Sequence, residues 1–332
     1  MSASAKSRHC AVNYQMLADR SQCNNGGLVI GNEPDKTAMS KKPISFGHYP
    51  WPNCTAHLIA SDADLPEYPG AIGSGFFVQR GARIYLLTAG HCLVAGELNT
   101  EDFLAKAAKV AAGLVIPIDS APGTTSRGSE GRVRFSAVSS VKVDNTSGAF
   151  FGSGKEGTLD VVALEVDPCQ VALDARIRDR SVRLPPTGEW FINSMDLAQK
   201  LSQKVPLVAS GFPKHGTESS IDYDTRVVIS QGIHLSAYYI GSGPWPHTHS
   251  LEVRQSNTRI EPDGMSGGPI YMKARNGDDA PYYLVGMALR GGHGSDLIHF
   301  CTVDWLTRAI DAEDNRSTAI PGNATGSAAE AI

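Results

Sequence analysis

Apolar residues fall in short runs along this chain, separated by Gly, Pro, Asn and Asp, the punctuation of many short antiparallel strands. Tyr85-Leu86-Leu87-Thr88, Leu159 to Leu164 and Ile270-Tyr271-Met272 are such runs. Helices are few, and two segments stand out. Residues 101–112 (Glu-Asp-Phe-Leu-Ala-Lys-Ala-Ala-Lys-Val-Ala-Ala) predict a helix with Gly113 as its stop, and Thr302–Ala312 a second, with Val303, Leu306 and Ile310 on one face. Residues 1–43 are polar and irregular and read as an extension that wraps the core or is removed. Pro117–Gly131, rich in Ser, Thr and Gly, reads as an exposed loop, either a flap near a cleft or a tolerated insertion. Glu313–Ile332 is a small-residue polar tail expected to be disordered.

With 332 residues the chain can bury a substantial core, and its net charge of -4 is mild. No basic stripe with interleaved aromatics suggests nucleic acid as a partner. No apolar run approaches the length of a membrane-crossing helix, so no membrane partner is expected. The first thirty residues lack the basic start and apolar core of an export signal. The expectation is a cytoplasmic protein, or a secreted one if an export segment has been removed. Six cysteines permit disulfides, Cys10 with Cys23 among them, and equally suit reduced buried thiols. Their spacing supports no metal site, and no cofactor is expected.

The chemistry concentrates in three places. Asp263-Gly264-Met265-Ser266-Gly267-Gly268-Pro269 sets a serine among glycines that can expose its hydroxyl and aim backbone amides. A serine hydroxyl is a poor nucleophile without a base, and the base needs an orienting group. In Tyr85-Leu86-Leu87-Thr88-Ala89-Gly90-His91-Cys92 a buried strand ends at a small-residue turn that carries His91. In Gly157-Thr158-Leu159-Asp160-Val161-Val162-Ala163-Leu164 one carboxylate is embedded in an apolar run, where burial without a partner is costly. A hydrogen bond from the His91 ring to Asp160 would remove that cost, fix the tautomer and stabilise the imidazolium. Each motif also has a plain structural reading. A histidine at a strand end is commonly a hydrogen-bonded scaffold residue, Gly-Gly-Pro commonly a turn, and Asp160 could pair with a nearby arginine.

Gly264-Met265-Ser266-Gly267-Gly268 also satisfies the Gly-x-Ser-x-Gly elbow of α/β-hydrolases. That elbow runs from a strand straight into a helix, which Gly267, Gly268 and Pro269 would disrupt. The apolar Ile270-Tyr271-Met272 instead predicts a strand.

Thr-Ala-Gly-His-Cys, Leu-Asp-Val-Val-Ala-Leu and Gly-Met-Ser-Gly-Gly-Pro, in that order, resemble the chymotrypsin-like serine peptidases. Gly73-Ser74-Gly75-Phe76-Phe77-Val78 and Ser210-Gly211-Phe212-Pro213 are similar to the bacterial trypsin-like members, including glutamyl endopeptidases. The resemblance covers residues 44–312. It implies an all-β fold of two packed antiparallel β-barrels, about 44–180 and 181–301, with a C-terminal helix over 302–312. It implies an endopeptidase cleaving protein or peptide substrates, with His91, Asp160 and Ser266 catalytic and an oxyanion hole from the amides of Gly264 and Ser266. The alternative is a noncatalytic or latent homologue that binds proteins with its surface.

Departures from the family matter as much. The residue before the nucleophile is Met265, where digestive members carry an aspartate that pairs with a new N-terminus. Activation through that ion pair is therefore not expected, although Val29-Ile30-Gly31-Asn32 resembles such a terminus, and movement of residues 1–43 or a regulatory partner becomes the expected control. Animal relatives bridge the cysteine after the histidine to one near Ala71-Ile72-Gly73. Here Cys92 lacks that partner, and Cys54 could substitute. Ile260 occupies the place of the pocket-floor aspartate. The substrate-binding candidates implied are Ile260, Asp263, Leu289, Gly291 and Asp296. Glu261 and Asp263 at the pocket entrance, and Asp296 beyond its wall, either recruit a basic residue before the scissile bond, the reading taken here, or are solvent-facing loop carboxylates. A large apolar residue is the alternative.

Overall fold

The computed structural model describes residues 54–60, 70–94, 102–116, 125–127, 133–144, 156–184, 195–196, 198–200, 204–214, 220–222, 227–229, 231–254, 261–273, 282–291, 295–311 and 318–320. They belong to the unit Phe46–Ile332. The extension 1–43, with Cys10, Cys23 and Val29-Ile30-Gly31-Asn32, lies outside them, as does Ile260.

Two β assemblies dominate. The first is an open, curled sheet in the order Thr318–Ala319, Phe135–Asp144, Glu156–Val166, Arg83–Thr88, Gly70–Arg80, Thr55–Ala60, Leu114–Val115. Val182–Leu184 adds to Gly70–Arg80 as a parallel strand. The second is a closed six-strand barrel in the order Ile233–Ser242, Thr248–Val253, Leu297–Thr302, Tyr282–Gly291, Pro269–Lys273, Leu207–Gly211. The all-β expectation and the pair of packed barrel-like assemblies hold, with the first open rather than closed, and the topology is broadly chymotrypsin-like.

The central strands of the first sheet read as continuous apolar runs because both faces are covered. Phe76, Val78, Tyr85, Leu87, Val161 and Ala163 enter one buried cluster, and their neighbours Phe77, Ile84, Leu86, Val162 and Leu164 enter another. The first cluster continues through Tyr271, Leu284 and Met287 of the barrel, and so joins the two assemblies. It also takes Val303, Leu306, Ala309 and Ile310 from the helix Val303–Asp311, the predicted apolar face of that helix. The second cluster is closed by Phe103, Ala107, Ala108 and Ala111 of the helix Phe103–Ala112. Burying one large aliphatic or aromatic side chain is worth roughly 1.5–3 kcal/mol, so the first cluster, shared by both assemblies, fixes the relative placement of sheet and barrel. Strands Gly70–Arg80 and Arg83–Thr88 form a hairpin in which Gly81, at φ +60, supplies the positive φ that a two-residue loop needs.

Several expectations are corrected. Gly113 does follow the helix, but at φ -98 it is not a left-handed cap, and its N–H bonds to the carbonyl of Val110. The stretch 117–131 is not wholly loop, since Thr125–Arg127 pairs with Val227–Ile229, which pairs in turn with Ser220–Asp222. The C-terminal tail is not wholly without structure. Thr318–Ala319 pairs with Val138 and Ala137, and Ile320, 5% exposed, enters the second cluster, because one apolar residue in a polar tail can still cover an open sheet edge. Cys54 does not bridge Cys92. Cys54, Cys92 and Cys301 are buried free thiols, Cys169 is an exposed one, and the Cys54 Sγ lies 2.7 Å from the Tyr271 hydroxyl. The elbow alternative fails too, because the strand Pro269–Lys273 and not a helix follows Ser266. Among the described residues no helix is long and apolar enough to cross a membrane.

Candidate active site

The strand Arg83–Thr88 runs beside Glu156–Val166, with Thr88 opposite Val162. This pairing sets the turn after Thr88 next to Asp160. The chain makes one short helical turn, Gly90–Leu93, and His91 sits in it. The Asp160 carboxylate grips that residue twice: Oδ1 accepts from the His91 backbone N–H at 2.9 Å, and Oδ2 lies 2.7 Å from the ring Nδ1. An ionised carboxylate only accepts, so Nδ1 carries the proton and Nε2 of the neutral ring is left as the acceptor.

Asp160 is 8% exposed and its partner satisfies the buried charge. For His91, burial pulls the pKa down. The hydrogen bond and charge of Asp160, with a contribution from Cys92, outweigh this, so the net direction is upward. The same carboxylate adds to burial in raising the Cys301 thiol. The imidazolium is thus the form this site stabilises.

The loop that carries Ser266 is built on glycines that tolerate nothing larger. Gly264 has φ +91, and a Cβ there would lie 2.8 Å from the Phe212 carbonyl and the Lys214 nitrogen. Gly267 has φ +85, and its Cβ would come within 2.0 Å of the Ser74 carbonyl, 2.6 Å of Thr88 Oγ1 and 3.0 Å of the Ala89 nitrogen. Gly267, the residue after Ser266, is therefore pressed against Thr88 and Ala89, which lead into the turn of His91. The Cys92 thiol donates to the Ser266 carbonyl at 3.6 Å and lies 4.0 Å from His91 Nε2. Ser266 is 9% exposed.

Amide directions in the loop are set by their neighbours. The N–H groups of Met265, Gly267 and Gly268 donate to the carbonyls of Pro262, Ala288 and Met265. Among the described residues, those of Gly264 and Ser266 donate to none. The carbonyls across their peptide planes are held: Asp263 accepts from the Lys214 N–H at 2.9 Å and Met265 from the Gly268 N–H at 2.9 Å. Because a trans peptide points its N–H opposite to its C=O, both unengaged donors have fixed directions before anything binds. Two pre-aimed amides flanking a serine can stabilise an oxyanion.

The other candidates are dispersed. Asp263 is partly exposed, with its carboxylate 3.9 Å from the Lys214 ammonium. Gly291 ends its strand against Pro262. Leu289, 3% exposed, belongs to the cluster that joins sheet and barrel. Asp296 is exposed, and its carbonyl accepts from the Val253 N–H. Met265, 1% exposed, is packed among apolar barrel residues, with its backbone close against Gly211. Among the described residues, no three His, Cys, Asp or Glu side chains gather to hold a metal ion.

The motifs gave Ser74 and Thr88 no role of their own, yet both serve the site. Thr88 Oγ1 donates to the Ser74 carbonyl at 2.8 Å, and the Ser74 N–H donates to the Ser266 carbonyl at 2.9 Å. The only sequence signal was a hydroxyl between two glycines in an otherwise apolar strand. No protein-family model matches the chain, and no curated protein matches it in sequence.

Proposed function

We propose that this chain is a serine endopeptidase of the chymotrypsin-like kind. Ser266 Oγ attacks the scissile carbonyl while His91 Nε2 takes its proton. Asp160 holds the resulting imidazolium, and the amides of Gly264 and Ser266 receive the oxyanion. His91 then delivers the proton to the leaving amine, and water repeats the cycle on the acyl-enzyme. The observation that carries this reading is the pairing of a carboxylate-held histidine with two pre-aimed, unengaged amides around one buried serine.

Substrates are proteins or peptides, with a basic residue before the scissile bond favoured by the acids Glu261 and Asp263 beside the nucleophile loop. Activation does not use an N-terminal ion pair, since Met265 fills that place with apolar packing. Control falls to the N-terminal extension or a regulatory partner.

A fluorophosphonate probe tests the reading directly. Wild-type protein is expected to be labelled, and Ser266→Ala not. Folded wild type that resists labelling and cleaves nothing in a random peptide library would overturn it in favour of a noncatalytic or latent homologue that acts as a protein-binding module.

A further inference from the structure

We infer that Ser74 is a positioning residue for the oxyanion hole, supplied by the first sheet to a loop that belongs to the barrel. The inference rests on the peptidase reading above. Ser74 is fully buried, and its hydroxyl accepts from the Phe212 N–H at 2.9 Å while donating to the Gly264 carbonyl at 2.9 Å. A hydroxyl is the smallest side-chain group that does both at once. Its backbone N–H also holds the Ser266 carbonyl at 2.9 Å.

Four consecutive carbonyls, Asp263 to Ser266, govern the loop. Asp263 and Met265 are held by barrel amides, while Gly264 and Ser266 are held by Ser74. The Gly264 carbonyl lies between the two peptides whose N–H groups form the hole, on a residue at φ +91 with no Cβ to restrict rotation. Among the described residues the Ser74 hydroxyl is its one hydrogen-bond donor. Removing the hydroxyl leaves a buried donor at Phe212 and a buried acceptor at Gly264, and the Gly264–Met265 peptide keeps only its bond from the Met265 N–H to the Pro262 carbonyl. Held on one side alone, that peptide can tilt and carry the two flanking amides off their aim. The oxyanion hole is thereby complete only while sheet and barrel are docked, without an N-terminal ion pair.

The test compares wild type, Ser74→Ala and Ser74→Thr in steady-state peptide hydrolysis and in binding of a peptide boronic acid. Direct loss of an oxyanion donor costs about 100-fold or more in turnover, so misaiming in Ser74→Ala is expected to lower kcat on the order of 10- to 100-fold. KM should stay within about 2-fold and the pH limb of His91 should not move, since these amides act on the transition state and not on the base. Boronic acid affinity should fall in proportion to kcat, and Ser74→Thr, which keeps the hydroxyl, should recover most of it. If Ser74→Ala does not fold, the nearly isosteric Ser74→Cys, a weak hydrogen-bond partner, is expected to give the same kcat loss.

A folded Ser74→Ala or Ser74→Cys with wild-type kcat and boronic acid affinity would overturn the role of Ser74 and leave the peptidase reading intact. A shift in KM or in the His91 limb, in place of a fall in kcat, would overturn it likewise. Wild type with no Ser266-dependent labelling would remove both.

Discussion

Asp160 holds His91 at two points, the ring Nδ1 at 2.7 Å and the backbone N–H at 2.9 Å, so one carboxylate sets both the tautomer and the seat of the imidazole. Asp160→Asn presents an amide that can donate to Nδ1 and so favours the wrong tautomer. Turnover should fall on the order of 10,000-fold, as in Ser-His-Asp triads generally. The pH limb assigned to His91 should move to lower pH, since the charge that raises its pKa is gone. Peptide hydrolysis across pH checks both. Unchanged turnover would show that Asp160 does not orient a base.

Gly267→Ala should be more damaging than its single methyl group suggests. The φ of +85 disfavours any side chain by about 1–2 kcal/mol, and the new Cβ would come within 2.0 Å of the Ser74 carbonyl. Loss of fluorophosphonate labelling together with a thermal midpoint lowered by several degrees is expected.

Met265→Asp would introduce the acid that digestive chymotrypsin-like peptidases place before their nucleophile, and under the proposed function it should inactivate this chain. Met265 is 1% exposed in the barrel cluster, so a carboxylate there costs several kcal/mol unless it is neutralised or paired. A denaturant midpoint well below wild type, without gained activity, is the expected result.

Acid stability should depend on His57. This residue is 4% exposed and stacked on Phe212 at 4.7 Å, and burial lowers its pKa from 6.5 to about 4. As pH falls through 6.5 the unfolded chain takes up a proton that the folded chain refuses. Its share of stability is thus fully present above pH 6.5 and is lost as pH falls toward 4, by about 3 kcal/mol at most. His57→Gln, which cannot titrate, should flatten the difference in denaturant stability between pH 7 and pH 4. An unchanged slope would place the acid sensitivity elsewhere.

Ile320 tests whether the C-terminal tail is part of the fold. Ile320→Ala should cost about 2 kcal/mol, the low end for emptying a buried aliphatic site, because Ile320 packs into the cluster beneath the first sheet. A substitution without effect on the denaturant midpoint would return the tail to the solvent.

Much of this molecule was determined by sequence alone, and for local reasons. Strands and the C-terminal helix follow from the spacing of apolar residues, and Val303, Leu306 and Ile310 pack on the face that their spacing predicts. A glycine-flanked serine, a histidine after a strand and an acid inside an apolar run each announce unusual backbone or an expensive burial. Tertiary structure decided what joins over distance. Ile320 looked like tail because its partner strand, Phe135–Asp144, lies far back in the chain. Ser74 looked like part of a strand motif, and its hydroxyl meets Gly264 across 190 residues of sequence. A hydroxyl carries no mark of which carbonyl it will hold, because that choice is made by the packing of sheet against barrel and not by its neighbours in the chain.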